Sequence, residues 1–116
     1  MDQVQYEQSI NTYNAYLDRM MEAARHFCED LLDSNYQEVS SVLPALIEGI
    51  SWVNEALESF VNIGWASGER LQELRQMIHG LHEALENKDN VLLYDLLQFD
   101  AIPFFENAKI SATETN

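Results

Sequence analysis

The side chains with most chemical potential lie in His79-x-x-His82-Glu83, with Glu86 one turn further on. Histidines and carboxylates three or four residues apart share one face of a helix, a spacing that can hold a divalent metal. Carboxylate-bridged di-metal bundles, however, use Glu-x-x-His pairs, and the chain has none. Arg75 falls on the same flank, and Glu22 stands four residues before His26. Both arrangements read first as solvated helix edges carrying ordinary surface pairs. A metal- or ligand-binding enzyme centred on His79, His82 and Glu86 therefore ranks last among three functional readings.

Other routes to catalysis have less support. Cys28, the only cysteine, lies beside an apolar seam and is followed by Glu29 and Asp30. Burial and neighbouring negative charge both oppose a thiolate, so an inert thiol is expected. No Gly-x-Ser-x-Gly elbow and no glycine-rich phosphate loop occurs, so neither an enzyme nor a cofactor is expected. Asp100 projects into the arc of Leu92, Leu93, Leu96 and Leu97, where a carboxylate needs a partner. Folding the third helix onto the fourth sets Arg75 beside Asp100, and a buried ion pair that fixes register is expected there. Asn54 likewise breaks an apolar face and is expected to satisfy a core hydrogen bond or face a neighbouring helix.

These side chains need long helices to hold them. Asn35 to Val61 is the organising stretch. Tyr36, Val39, Leu43, Leu46, Ile50, Val53, Leu57 and Phe60 recur at alternating steps of three and four, one helical seam. Ala45, Gly49, Trp52 and Ala56 form a second stripe about a quarter-turn away. Three small residues and a tryptophan suit close approach by another helix, from the same chain or from a partner. Pro44 predicts a kink, or a break that leaves a short separate helix before it.

The first helix is expected from Gln3 to about Asp33, with Tyr6, Ile10, Tyr13, Leu17, Met20, Ala24, Phe27 and Leu31 as its seam. Its tyrosine hydroxyls need water or a partner, which places Tyr13 and Tyr16 near an edge. Asn35 with Glu38 resembles a capping box, and Ser67 and Asp89 are expected caps of the third and fourth helices. Trp65, in the second connection, should plug one end of the bundle. The third helix spans Gly68 to about Glu86, on Leu71, Leu74, Ile78, Leu81 and Leu85. The fourth carries Leu92, Leu93, Leu96, Leu97 and Phe99, and Pro103 should kink or end it. Phe104 and Phe105 follow and, with Tyr13 and Tyr16, could form a second apolar patch. Val39, Leu43 and Leu46 are echoed by Leu92, Leu96 and Phe99, 53 residues later.

The expected fold is an all-α, antiparallel, up-down four-helix bundle. Residues 1–110 form the domain, and 111–116 (SATETN) read as a polar disordered tail. Twenty acids against six bases give a net charge of −14. That charge opposes nucleic-acid and membrane-surface binding and favours basic partners. No secretory signal and no membrane span is read, which predicts a cytoplasmic protein. In size, acidity and helicity the chain resembles small cytoplasmic secretion and flagellar-export chaperones, a likeness of general character over its whole length. It implies a non-enzymatic protein-binding module, an adaptor, export chaperone or inhibitor. Candidate interface residues are Ala45, Gly49, Trp52, Ala56, Tyr13, Tyr16, Phe104 and Phe105. The partner is a basic or helical protein, or a second copy in a homodimer; the alternative is a homo-oligomeric structural protein.

Overall fold

The computed structural model describes residues 3–111, so five of the six residues of the expected tail lie outside it. Four helical runs are present: α1 (Gln3–Leu32), α2 (Tyr36–Asn62), α3 (Gly68–Glu86) and a compound fourth run. The last comprises α4 (Asn90–Asp95), a π-helical turn (Leu96–Ala101) and α5 (Ile102–Asn107), with no loop between them. Each run packs on its neighbour in sequence, and the fourth closes back onto α1. This is the up-down four-helix bundle that the apolar seams imply. A helix of 30 residues spans about 45 Å, and α1 accordingly accounts for the long axis of 47 × 21 × 19 Å.

The seam of α1 is buried throughout except at Tyr6. In α2 the seam is buried from Leu46 to Phe60, while Tyr36 is exposed. α2 passes through Pro44 as one helix, so the expectation of a separate short helix before it is not met. Leu43 and Leu46 keep the same seam on both sides of the proline, and packing outweighs the lost hydrogen bond.

All three connections use one chain reversal. The amides of Ser34, Gly64 and Lys88 bond three residues back, and those of Asn35, Trp65 and Asp89 five residues back. These are paired Schellman bonds, which satisfy carbonyls at a helix end. The first residue of each pair is left-handed, at φ 56, 83 and 52° for Ser34, Gly64 and Lys88. Gly64 takes that conformation without a steric penalty. Ser67 and Asp89 accept from the Arg70 and Leu92 amides, as expected. Asn35 makes no side-chain cap bond, which corrects the capping-box expectation. Its backbone is already committed to closing α1.

The fourth run departs most from expectation. Leu93, Leu97, Ala101 and Phe105 are buried, a run of steps of four. In a regular α-helix each such step drifts by about 40°. A π turn absorbs the drift, and here the Ile102 amide bonds to the Leu97 carbonyl five residues back. The turn also lies just ahead of Pro103, which has no amide to give and would crowd the carbonyl four residues earlier. Across it the phase slips by one residue. Phe99, expected in the seam, is 66% exposed, and Asp100 faces solvent. With Leu92 and Phe99 exposed, the echo of α2 in the fourth run does not carry into packing.

Candidate functional site

The predicted Arg75–Asp100 ion pair does not form. Arg75 reaches Glu58 on α2 instead, at 3.1 Å, because the π turn rotates Asp100 out of the core. Asp100 lines a shallow surface hollow with Arg70, Glu73, Gln76 and Phe99. His79 pairs with Glu83 at 3.4 Å, and His26 lies 3.9 and 3.6 Å from Glu22 and Glu29, all exposed. Among the described residues no three His, Cys, Asp or Glu side chains gather where they could hold a metal. Cys28 is buried, and burial pushes its thiol from 9.0 up to about 11. Asn54 Oδ1 is buried with no hydrogen-bond partner, which corrects the first of its two expected roles, a satisfied core bond, and leaves the second, facing a neighbouring helix, as it stood.

The interface candidates separate into two groups. Tyr13, Phe104 and Phe105 are only 1, 6 and 0% exposed, so they belong to the core and offer no surface patch. Tyr13 escapes the edge because its hydroxyl finds a partner inside, donating to the Ala108 carbonyl at 3.2 Å. Desolvation pushes that phenol up to about 12, and Arg70 draws it slightly back. The second stripe is partly covered by the same chain. Gly49 is buried, and a Cβ there would lie 2.5 Å from Met20 Sδ and 3.1 Å from the Tyr16 hydroxyl. The glycine therefore serves close packing of α1 on α2. Ala45 is exposed, Ala56 is half-buried and Trp52 remains 38% exposed.

Trp52 and Ala56 form one end of a larger feature that the sequence did not reveal. Three tyrosines of α1 each meet an aromatic ring from α2 or the loop after it. Tyr16 packs on Trp52 at 4.3 Å between centroids, Tyr13 on Phe60 at 5.1 Å, and Tyr6 on Trp65 at 4.2 Å. The order is antiparallel, like the helices. The reversal at Gly64 folds Trp65 back over Phe60, with ring planes only 12° apart. That is the apolar contact that often accompanies a Schellman end, and it meets the expectation that Trp65 plugs the bundle.

Above this ladder lies an open groove of about 570 Å³. Its floor and walls are Tyr6, Trp52, Ala56, Phe60, Ile63 and Trp65, and its rim includes Gln8, Ser9, Thr12 and Ser59. None of the lining residues carries a charge, although 22% of the chain is charged. Ile63 is 51% exposed and has no seam position to explain it. A concave, aromatic, uncharged surface on an acidic molecule has the composition of a recognition site.

Residues 8–111 match the family described as "Domain of unknown function (DUF8042)". The chain belongs to this family. No curated protein and no solved structure matches it. The span matched to DUF8042 takes in the four helical runs except the first five residues of α1, and the groove apart from Gln5 and Tyr6. It also takes in a C-terminal strap that sequence reasoning missed. Asn14 donates from Nδ2 to the Ile110 carbonyl at 2.7 Å and accepts the Ile110 amide at Oδ1, at 2.9 Å. Lys109 pairs with Asp18. One asparagine thus holds both backbone groups of Ile110, a pairing that no periodicity signals. No described helix is long and apolar enough to cross a membrane.

Proposed function

We propose that this small all-helical domain is a non-enzymatic, cytoplasmic protein-binding module, and that the groove between α1 and the C-terminal half of α2 is its binding surface. The observation that carries the reading is the groove itself: an uncharged aromatic concavity, with Trp52 and Ile63 exposed, on a chain of net charge −14. Tryptophan-centred apolar pockets ringed by polar groups are where binding energy concentrates in protein interfaces. The exposed histidines, the buried Cys28 and the solvated Asp100 assemble no comparable constellation for bond-making chemistry. The acidic surface around the groove supports an adaptor, export-chaperone or inhibitor role, keeping the domain soluble and drawing basic partners.

Site-specific photo-crosslinking in the native host tests this. A benzoylphenylalanine replacing Ile63 should give a discrete adduct with another protein, while the same group at His79 on α3 should not. Adducts only with further copies of the chain would favour the homo-oligomeric reading. Equal adducts, or none, at both positions would overturn the groove as the binding surface.

A further inference from the structure

The groove's shape and charge point to one kind of occupant. We infer that it takes a single amphipathic helix of a partner protein, about three turns long, whose basic residues line the flank that meets α2. This rests on the protein-binding reading above and adds the chemistry of the partner. From Trp52 to Ile63 the groove runs eleven residues along α2, or about 16 Å of helix. Its volume of about 570 Å³ holds roughly three or four benzene-sized groups, taking about 150 Å³ for a cavity that binds one. Three turns of helix present such groups at i, i+4 and i+7. An extended peptide would gain less, because α1 and α2 commit their backbone groups to their own helices and offer no sheet edge to extend.

The residues that flank the groove outside its uncharged lining differ in charge between its two sides. Along α1 the rim is Gln8, Ser9 and Thr12, with no acid among them. Outside the lining on the α2 side, Glu55 and, one turn before the Trp52 end, Glu48 lie about 60° and 40° to the side of Trp52 that points away from α1, at about 100° per residue. Gly49 and Phe60 lie on its other side, against Met20 and Tyr13. Glu48 and Glu55 are both exposed, and neither pairs with a cation among the described residues. Glu58, the next acid along α2, already holds Arg75. A helix seated in the groove therefore meets the unpaired Glu55 on the α2 side, with Glu48 one turn beyond the Trp52 end, and on the α1 side only neutral rim groups and, at that same end, Arg19 over the Tyr16 ring. That asymmetry selects Lys or Arg on one flank and fixes the direction in which the helix lies.

A second copy of this chain does not supply such a helix. Its six bases are Arg19, Arg25, Arg70, Arg75, Lys88 and Lys109, and no two stand within four residues of each other. None of its helices carries a basic flank, and two copies of charge −14 repel.

Three blocked peptides test the inference, with the same Leu anchors at i, i+4 and i+7, no aromatic residue, and Lys, Gln or Glu along one flank. Both tryptophans of the chain line the groove, so their fluorescence reads its occupancy directly. The Lys peptide should bind most tightly and weaken as salt is raised, and the Glu peptide should bind least. The double variant Glu48→Gln, Glu55→Gln should weaken the Lys peptide by about fivefold and leave the Gln peptide unchanged. Trp52→Ala, with its helicity verified by circular dichroism, should weaken all three, as read from Trp65. Equal binding of the Lys and Gln peptides, indifferent to the double variant, would refute the basic flank while leaving the groove reading intact. If no peptide disturbs either tryptophan, both readings fail. A spectral change that follows protein concentration without any peptide would identify a second copy as the occupant.

Discussion

At the scale of single residues, Tyr13 joins the groove to the core. Its ring packs on Phe60 and its hydroxyl is held by the Ala108 carbonyl. Burial raises its pKa from 10.0 to about 12, so folding favours the neutral phenol. The stability this provides is fully present below pH 10 and is lost as pH climbs through 12. Cys28 adds the same sign of dependence from 9.0 to about 11. Melting temperature should therefore fall across this alkaline window, and Tyr13→Phe should flatten the upper part of the fall. At neutral pH the same variant should cost about 1–3 kcal/mol, since it strands a buried carbonyl. Gly49 is constrained by space. Valine there meets Met20 and Tyr16, and denaturant titration should show a loss of about 1–3 kcal/mol from overpacking. Alanine should be much milder, because a gain of about 1 kcal/mol in helix propensity offsets the shift of a flexible methionine end.

Among the elements, the C-terminal strap and the π turn define how the fourth run closes the bundle. α5 ends at Asn107, and the chain beyond it is fastened to α1 by Tyr13, Asn14 and Asp18. Asn14 is the central fastening because it answers both the donor and the acceptor of Ile110. Asn14→Ala should speed amide hydrogen exchange at Ile110 strongly while leaving the amides of α3 protected. An Asn14→Asp variant should keep the acceptor but lose the donor, giving an intermediate rate. Equal protection in all three proteins would show that Ile110 is held by its apolar burial alone. The π turn is legible in hindsight as Leu93, Leu97, Ala101 and Phe105, a string of fours that no regular α-helix keeps on one face.

Over the whole molecule, charge and groove oppose one another. Twenty acids on a body of 47 × 21 × 19 Å repel each other, and the uncharged groove is the surface on which apolar contact can prevail. Screening should relieve the repulsion. The melting temperature should rise by a few degrees between about 0.01 and 0.3 M sodium chloride, over which the Debye length falls from about 30 Å to below 10 Å. A flat or falling profile would show that the acids are better compensated than their number implies.

The sequence by itself determined the helices and most of the core. Alternating steps of three and four in α1 and α2 can bury one face only as helices, and Ser67 and Asp89 were legible as caps because a side-chain acceptor beside free amides is local chemistry. Cys28 as an inert thiol and Trp65 as a plug followed from neighbours in sequence. Tertiary structure decided everything that depended on phase and on who stands opposite whom. One extra residue in the π turn was enough to send Asp100 to solvent, give Arg75 to Glu58 and expose Phe99. Gly49 was covered by Met20 and Tyr16, while Trp52 and Ala56, on the same stripe, were left at the edge of a groove. The tyrosines of α1 found their aromatic partners 36, 47 and 59 residues away, separations over which helical periodicity carries no information. The stripe posed the question of a binding face, and the register of α1 against α2 set the groove beside its C-terminal half.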